Sequence, residues 1–232
     1  MTDTPDTPAP AKPKQTKGDL PKKLLADIKL AEDIAAAAAD PIHASSLTAE
    51  ELALGAAAAL LTQAGAARTL AAKASLAKKT SQTATASATT AHETLLTALR
   101  DIQARAKRKF PKDRIRLSAY AIGRKNFGKG ATVFEQDAEN LLRLAAQDAL
   151  PGLKPDKLTA ATAALPAWKT ADAAQTKAIE DQADLLLKLN AKVADLNDAR
   201  RAIQAVAETA WPYAIKGNAP IRRTFKLPAP KA

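Results

Sequence analysis

From Leu158 to Ile203 one pattern holds without interruption: Leu158, Ala161, Leu165, Trp168, Asp172, Gln175, Ile179, Gln182, Leu186, Leu189, Val193, Leu196, Arg200 and Ile203 recur at alternating steps of three and four. Such steps place every member on one stripe of an α-helix. A stripe kept this long at a mean period of ~3.5 residues is a coiled-coil seam rather than the face of an ordinary globular helix. The segment therefore needs another long helix to lie against. Pro155 suits the first turn of this helix, and Pro166 is expected to kink it or to divide off a short preceding helix.

The partner is the stretch from Thr48 to Lys109, which contains no proline. Thr48-Ala49-Glu50-Glu51 reads as a capping box, with the Thr48 hydroxyl accepting from the Glu51 amide while Glu51 reaches back. A continuous helix over this range would extend about 90 Å at ~1.5 Å per residue. Its middle, Thr80 to Ala91, has no large apolar side chain. Ser and Thr are mediocre helix formers, which favours a low-complexity linker. The helical flanks and the absence of Gly and Pro favour instead a helix whose small side chains let a partner come close, and that is the reading adopted. With the two long segments antiparallel and midpoints aligned, residues 80–92 fall opposite roughly 170–182. Asp172, Gln175 and Gln182 would then meet small hydroxyls in a polar layer, costly in stability but able to fix register.

Composition agrees with helices. The chain has 232 residues, 47% of them hydrophobic but only 3% aromatic, with 8 glycines. Much of the apolar content is alanine, which buries little area and relies on close packing. The expected fold class is all-α: an elongated antiparallel helical bundle, coiled-coil-like, with extended N- and C-terminal arms. Residues 1–20 form the first arm, being Pro/Thr/Lys-rich with nothing to bury; 21–211 form the bundle; 212–232 form a basic C-terminal arm. Pro21 opens a first helix carrying Leu24, Ile28, Ala31 and Ala35, which ends at Asp40-Pro41 and gives way to a Ser/His loop. Phe110-Pro111 closes the long helix. In residues 112–131, Ile115, Leu117 and Ala119 alternate like a strand, while Ile115, Ala119 and Ile122 fit the short helix preferred here. Thr132-Val133-Phe134-Glu135 is a second capping box, opening a helix to about Ala149, and Leu150-Pro151-Gly152 is a turn.

The chemistry-bearing motifs are sparse. Gly123, Gly128 and Lys129 match parts of a phosphate-binding loop, but Gly130 stands where a hydroxyl must bind magnesium and Thr132 comes two residues late. No buried strand precedes the loop, so its glycines read as a turn. His92-Glu93 begins like a zinc-protease helix, yet Leu96 replaces the second histidine. With no cysteine and only His43 besides, neither a thiolate site nor a catalytic triad emerges. The expectation is no catalytic residue, no cofactor and no metal. The N-terminal residues lack the apolar core of a secretory signal, and no run of ~20 large apolar residues could span a bilayer. A cytoplasmic location is expected.

Charge is the strongest remaining signal. Arg105, Lys107, Arg108, Lys109, Lys112, Arg114, Arg116, Arg124, Lys125 and Lys129 face Asp113 as the only acid in their block, and the chain's net charge is +11. Such a block suits nucleic acid or another polyanion, with Phe110, Tyr120 and Phe127 available to stack on bases or to anchor a loop. The C-terminal arm combines apolar anchors (Trp211, Tyr213, Ile221, Phe225, Leu227) with Arg222 and Arg223. It reads as an extended segment laid over its own bundle or a neighbouring subunit, its arginines meeting Glu180, Asp181 and Asp184. The functional expectation is a non-enzymatic structural or assembly protein forming homo-oligomers. The alternative is a basic nucleic-acid-binding or packaging protein that contacts phosphates without sequence preference.

Overall fold

The structure, a computed structural model, describes residues 22–123, 127 and 130–230. Of these, 83% are helical and none is in a strand, which establishes the all-α class. The helices are α1 (Lys22–Ala39), α2 (Pro41–Ala49), α3 (Ala56–Lys109), α4 (Arg114–Ala119), α5 (Ala131–Gln147), α6 (Pro155–Ala210) and α7 (Ala219–Thr224). The expected arm at 1–20 lies outside the described residues, as do Arg124, Lys125 and Lys129.

The two long helices are α3, with 54 residues, and α6, with 56, and they pack against each other. On α6 the heptad stripe holds: Ala161, Leu165, Trp168, Leu189, Val193, Leu196 and Ile203 are buried, and the polar members are half-buried. The exception is Ile179, 49% exposed, whose place is taken by Ala178 at 8%. The helix runs through Pro166 undivided. α3 has a matching stripe of buried side chains: Leu60, Ala64, Ala67, Ala71, Ala74, Ser81, Ala88, Leu95, Leu99, Ile102 and Ala106.

The Thr/Ser stretch is helical throughout. Thr85, Thr89, Thr90, Thr94 and Thr97 each donate their hydroxyl to the carbonyl four residues earlier, at 2.8 to 3.1 Å. The hydrogen-bonding capacity that competes with a helix elsewhere is here spent inside it. Of the polar layer expected from the sequence, Gln175 forms its part, donating from Nε2 to Thr85 Oγ1 at 3.3 Å, whereas among the described residues Asp172 and Gln182 bond to no hydroxyl.

Three local expectations are corrected. The Ser/His segment is a helix, because Asp40 accepts from the Ile42 amide at 2.9 Å and Pro41 occupies the first turn. Thr48 consequently lies in the last turn of α2, where its hydroxyl donates to the Ala44 carbonyl instead of capping a new helix. The chain then turns through the left-handed Glu51 (φ 64°) and Gly55 (φ 82°) before α3 begins at Ala56. The second capping box also fails to form. Gly130, at φ 104°, is the N-cap of α5, so Thr132 falls inside the first turn.

The fold divides into two compact units. The first combines residues up to Lys78 with those from Ala183 onward. In its core, Ile28 and Ile34 of α1, Leu60 and the alanines of α3, and Leu189, Leu196 and Ile203 of α6 meet, joined by Leu47, Trp211 and Phe225. The second comprises Lys79–Gln182. Here Leu95, Leu99 and Ile102 of α3 pack with Phe134, Leu141 and Leu142 of α5 and with Leu165 and Trp168 of α6, and Tyr120 and Phe127 complete the core.

Candidate functional site

The basic block lies in the second unit, at the end of α3 and along α4. Asp113 caps α4 by accepting from the Arg116 amide at 2.9 Å, which turns the chain sharply after Phe110-Pro111. Three of the block's cations, Arg105 and Lys109 at the end of α3 and Arg116 on α4, meet the α5–α6 turn. Arg105 binds Asp101 at 3.0 Å and the Pro151 carbonyl at 3.1 Å. Lys109 donates to the Asp148 carbonyl and, at 3.4 Å, to that of Ala149. Arg116 reaches the Asp148 carboxylate at 3.3 Å.

These contacts place positive charge at the negative end of the α5 dipole and engage the carbonyls of its C-cap Asp148 and of the turn beyond it. Gly152 beside them takes a left-handed φ of 68°, which favours glycine, and a Cβ there would come within 2.9 Å of Arg105 Nη1 and displace the end of that side chain. The Tyr120 hydroxyl donates to Asp148 at 2.9 Å, and Gln103 Nε2 holds the carbonyls of Tyr120 and Ala121. Burial first, and then the Asp148 carboxylate, push the Tyr120 phenol well above the ordinary tyrosine range. Phe110 stacks against Tyr120 with centroids 6.3 Å apart, and Lys109 and Arg116 lie 5.4 and 5.8 Å from the Phe110 centroid.

Arg105, Lys109 and Arg116 are thus parts of the fold. Of the aromatic residues considered for base stacking, Tyr120 and Phe127 are buried and unavailable, and Phe110 is half-buried with its ring already contacted by Tyr120, Lys109 and Arg116. Lys107, Arg108, Lys112 and Arg114 are exposed, and among the described residues none of them forms an ion pair. They can meet phosphates by charge alone.

The C-terminal segment differs from an extended arm. Between extended stretches it forms a 3-10 turn, Lys216–Asn218, and then α7. Its anchors are consumed within the first unit. Trp211 stacks on Phe225 with centroids 5.3 Å apart, and His43 meets both rings edge-on. Ile221 and Leu227 pack on the same core, while Tyr213 remains half exposed and Arg223 exposed.

Arg222 is 1% exposed. Its guanidinium binds the Trp211 and Pro228 carbonyls, each at 2.6 Å, and Glu208 at 2.9 Å. The acidic partner is therefore Glu208 rather than Glu180, Asp181 or Asp184; the last two pair with Lys177 and Lys188 on α6 itself. Glu208 and Gln204, which donates to the Phe225 carbonyl at 2.8 Å, escaped sequence reasoning because only the chain reversal after Pro212 brings them to Arg222 and Phe225.

Two further surfaces in the second unit involve α3 and α6. Grooves of about 390 and 420 Å3 run between them, lined by Thr94, Thr97, Ala160 and Ala164 in one and by Thr83, Ser87, Ala171 and Ala174 in the other. No residue of α5 lines either groove. Around His92 no group of three potential metal ligands assembles among the described residues, and the imidazole packs 4.7 Å from the Phe134 ring. Among the described residues no helix is long and apolar enough to cross a membrane. Compared as a whole with family models, curated proteins and solved structures, the chain matches none of them.

Proposed function

We propose that this protein is a non-enzymatic structural component that self-assembles by docking a helix of a second copy along α3 and α6. The observation that carries this reading is the pair of grooves between those helices in the second unit, which α5 leaves uncovered. Besides Lys79, Asp101, Ile102, Leu153 and Lys157, their walls are Ala, Ser and Thr, the side chains that let another helix approach closely and gain dispersion contacts along its length. The coiled-coil character of the α6 stripe belongs to the same reading. The C-terminal anchors contribute to the fold of the first unit and are not needed for assembly.

Light scattering over a range of protein concentrations tests the proposal. The expected result is a dimer or larger species that dissociates when the exposed lining residues Ala160 and Ala174 are both replaced by Arg. A wild-type chain that stays monomeric at high concentration would overturn it.

The exposed cations Lys107, Arg108, Lys112 and Arg114 favour a second reading, non-specific binding of nucleic acid through phosphates. Affinity would then fall steeply with salt and depend little on sequence. Replacing those four residues by Gln would weaken binding to every sequence tested. Micromolar protein that shifts neither DNA nor RNA at ~50 mM salt would end this reading.

A further inference from the structure

On its α5 side the second unit holds a cavity of about 520 Å3, within the range of small-molecule sites. His92, Phe134 and Trp168 form its aromatic part. Phe134 lies 4.8 Å from Trp168, edge to face at 77°, and 4.7 Å from His92. The polar part is Thr89, Asp172 and Gln175. Two of these are already engaged: Thr89 donates to the Thr85 carbonyl at 2.9 Å, and Gln175 donates to the Thr85 hydroxyl at 3.3 Å.

Asp172 is different. It is half-buried, and among the described residues no hydrogen bond or ion pair reaches its carboxylate. Among the described residues no lysine or arginine lines the cavity. Lys169, one turn away on α6, is already committed to Glu135 and Glu139 on α5. A partly desolvated carboxylate without a partner is unfavourable, and it calls for a positive or hydrogen-bonding occupant.

The chemistry of the walls narrows that occupant. An anion would be repelled, and a neutral apolar molecule would leave Asp172 as it is. An inorganic cation would find one carboxylate and no further ligand set. An organic ammonium matches both parts, since its charge meets the carboxylate while its carbon groups lie against aromatic rings, whose electron-rich faces attract cations. The α5 N-terminus at Gly130 and Ala131 also lines the cavity. Its partial positive charge of about half a unit is smaller than the full negative charge of Asp172, so the local field still favours a cation.

We propose that this cavity binds a tertiary or quaternary organic ammonium ion, with Asp172 as the counter-ion and Trp168, Phe134 and His92 as the aromatic wall. The site is independent of assembly and of polyanion binding. It also gives a role to His92, which sequence patterns leave unexplained, and to the carboxylate of Asp172, which among the described residues does not meet the hydroxyls expected opposite it.

Calorimetric titration of the full chain tests it, with choline as the ammonium probe and 3,3-dimethylbutan-1-ol as its neutral carbon isostere. Choline should bind at a single saturable site, at least about tenfold more tightly than the isostere. Asp172→Asn should weaken choline by about tenfold or more while leaving the isostere unaffected and the circular dichroism unchanged. Thr89→Phe, a substitution at an exposed lining position, should block both ligands and keeps the test decisive if the Asn variant folds poorly. Absence of saturable choline binding would overturn the proposal. So would equal binding of the isostere, or choline affinity that survives Asp172→Asn or Thr89→Phe.

Discussion

Arg222 shows how one buried charge can hold a chain terminus in place. Its donors satisfy the Trp211 and Pro228 carbonyls, and its carboxylate partner Glu208 remains 60% exposed. The carbonyls depend on Arg222 more than Glu208 does, since water can solvate the carboxylate. Arg222→Met should therefore lower the unfolding free energy by about 2–4 kcal/mol. Glu208→Gln should cost less than about 1 kcal/mol. Urea denaturation measures both, and equal losses would show that the ion pair rather than the carbonyl contacts anchors the segment. Tyr120 supplies a second test at this scale. Its pKa is raised in the folded state, so its contribution is complete below the unfolded value near ~10 and is lost as pH rises above it. Tyr120→Phe should have lower stability at neutral pH, because the Asp148 hydrogen bond is gone, yet decline less steeply under alkali. The difference in slope should approach about 1.4 kcal/mol per pH unit above ~10. Parallel alkaline curves for the two proteins would contradict the assignment.

Among the elements, the two long helices show why side-chain size rather than hydrophobicity decides which residue occupies a stripe. At the α6 position where Ile179 was expected inward, Ala178 is buried and Ile179 faces out. Opposite this region α3 presents Ser81, Ala84 and Thr85, so the helices meet through small groups. A branched side chain would force them apart or adopt a strained rotamer. Ala178→Leu is expected to destabilise by about 1–3 kcal/mol, although it adds apolar surface. Ile179→Ser should change stability by no more than about 0.5 kcal/mol. Thermal denaturation of both variants checks the pair, and the reverse order would restore the unbroken heptad register.

For the whole molecule, the division into two units, each with its own apolar core, frames the effect of truncation. Residues 214–232 contribute Ile221, Phe225 and Leu227 to the first unit and nothing to the core of the second. Burial of Phe225 and Leu227 stabilises by roughly 1.5–3 kcal/mol each. Deleting 214–232 should lower the melting temperature while the helix signal stays near its full value, because α3, α5 and α6 remain. The molar mass from light scattering should not fall beyond that of the missing residues, a result that separates folding from assembly. Loss of the oligomer on truncation would return the C-terminal segment to the assembly role its composition suggests.

The fold class was determined by the sequence alone, and so was the pairing of its two long helices. Large apolar residues on α6 stand out at a 3.5-residue period, and the polar break at Gln175 meets a hydroxyl of the α3 segment aligned with it, that of Thr85. The stripe on α3 was not legible, because alanines occupy its buried and exposed faces alike and leave no contrast for a periodicity to show. Helix starts are ambiguous in sequence where two signals compete: Asp40 before Pro41 initiates α2 early and thereby removes Thr48 from the cap position. The fate of the charged residues was decided only by the tertiary structure. Arg105, Lys109 and Arg116 cannot be told from Lys107, Arg108 and Arg114 by type or spacing, since what separates them is proximity to the α5–α6 turn, some 40 residues away along the chain. The same holds for Asp172, which lines one cavity with His92, Phe134 and Trp168 and has no partner among the described residues. A charge's partner is fixed by distance in space, whereas helical periodicity is fixed by neighbours in sequence, and only the second can be read from a linear chain.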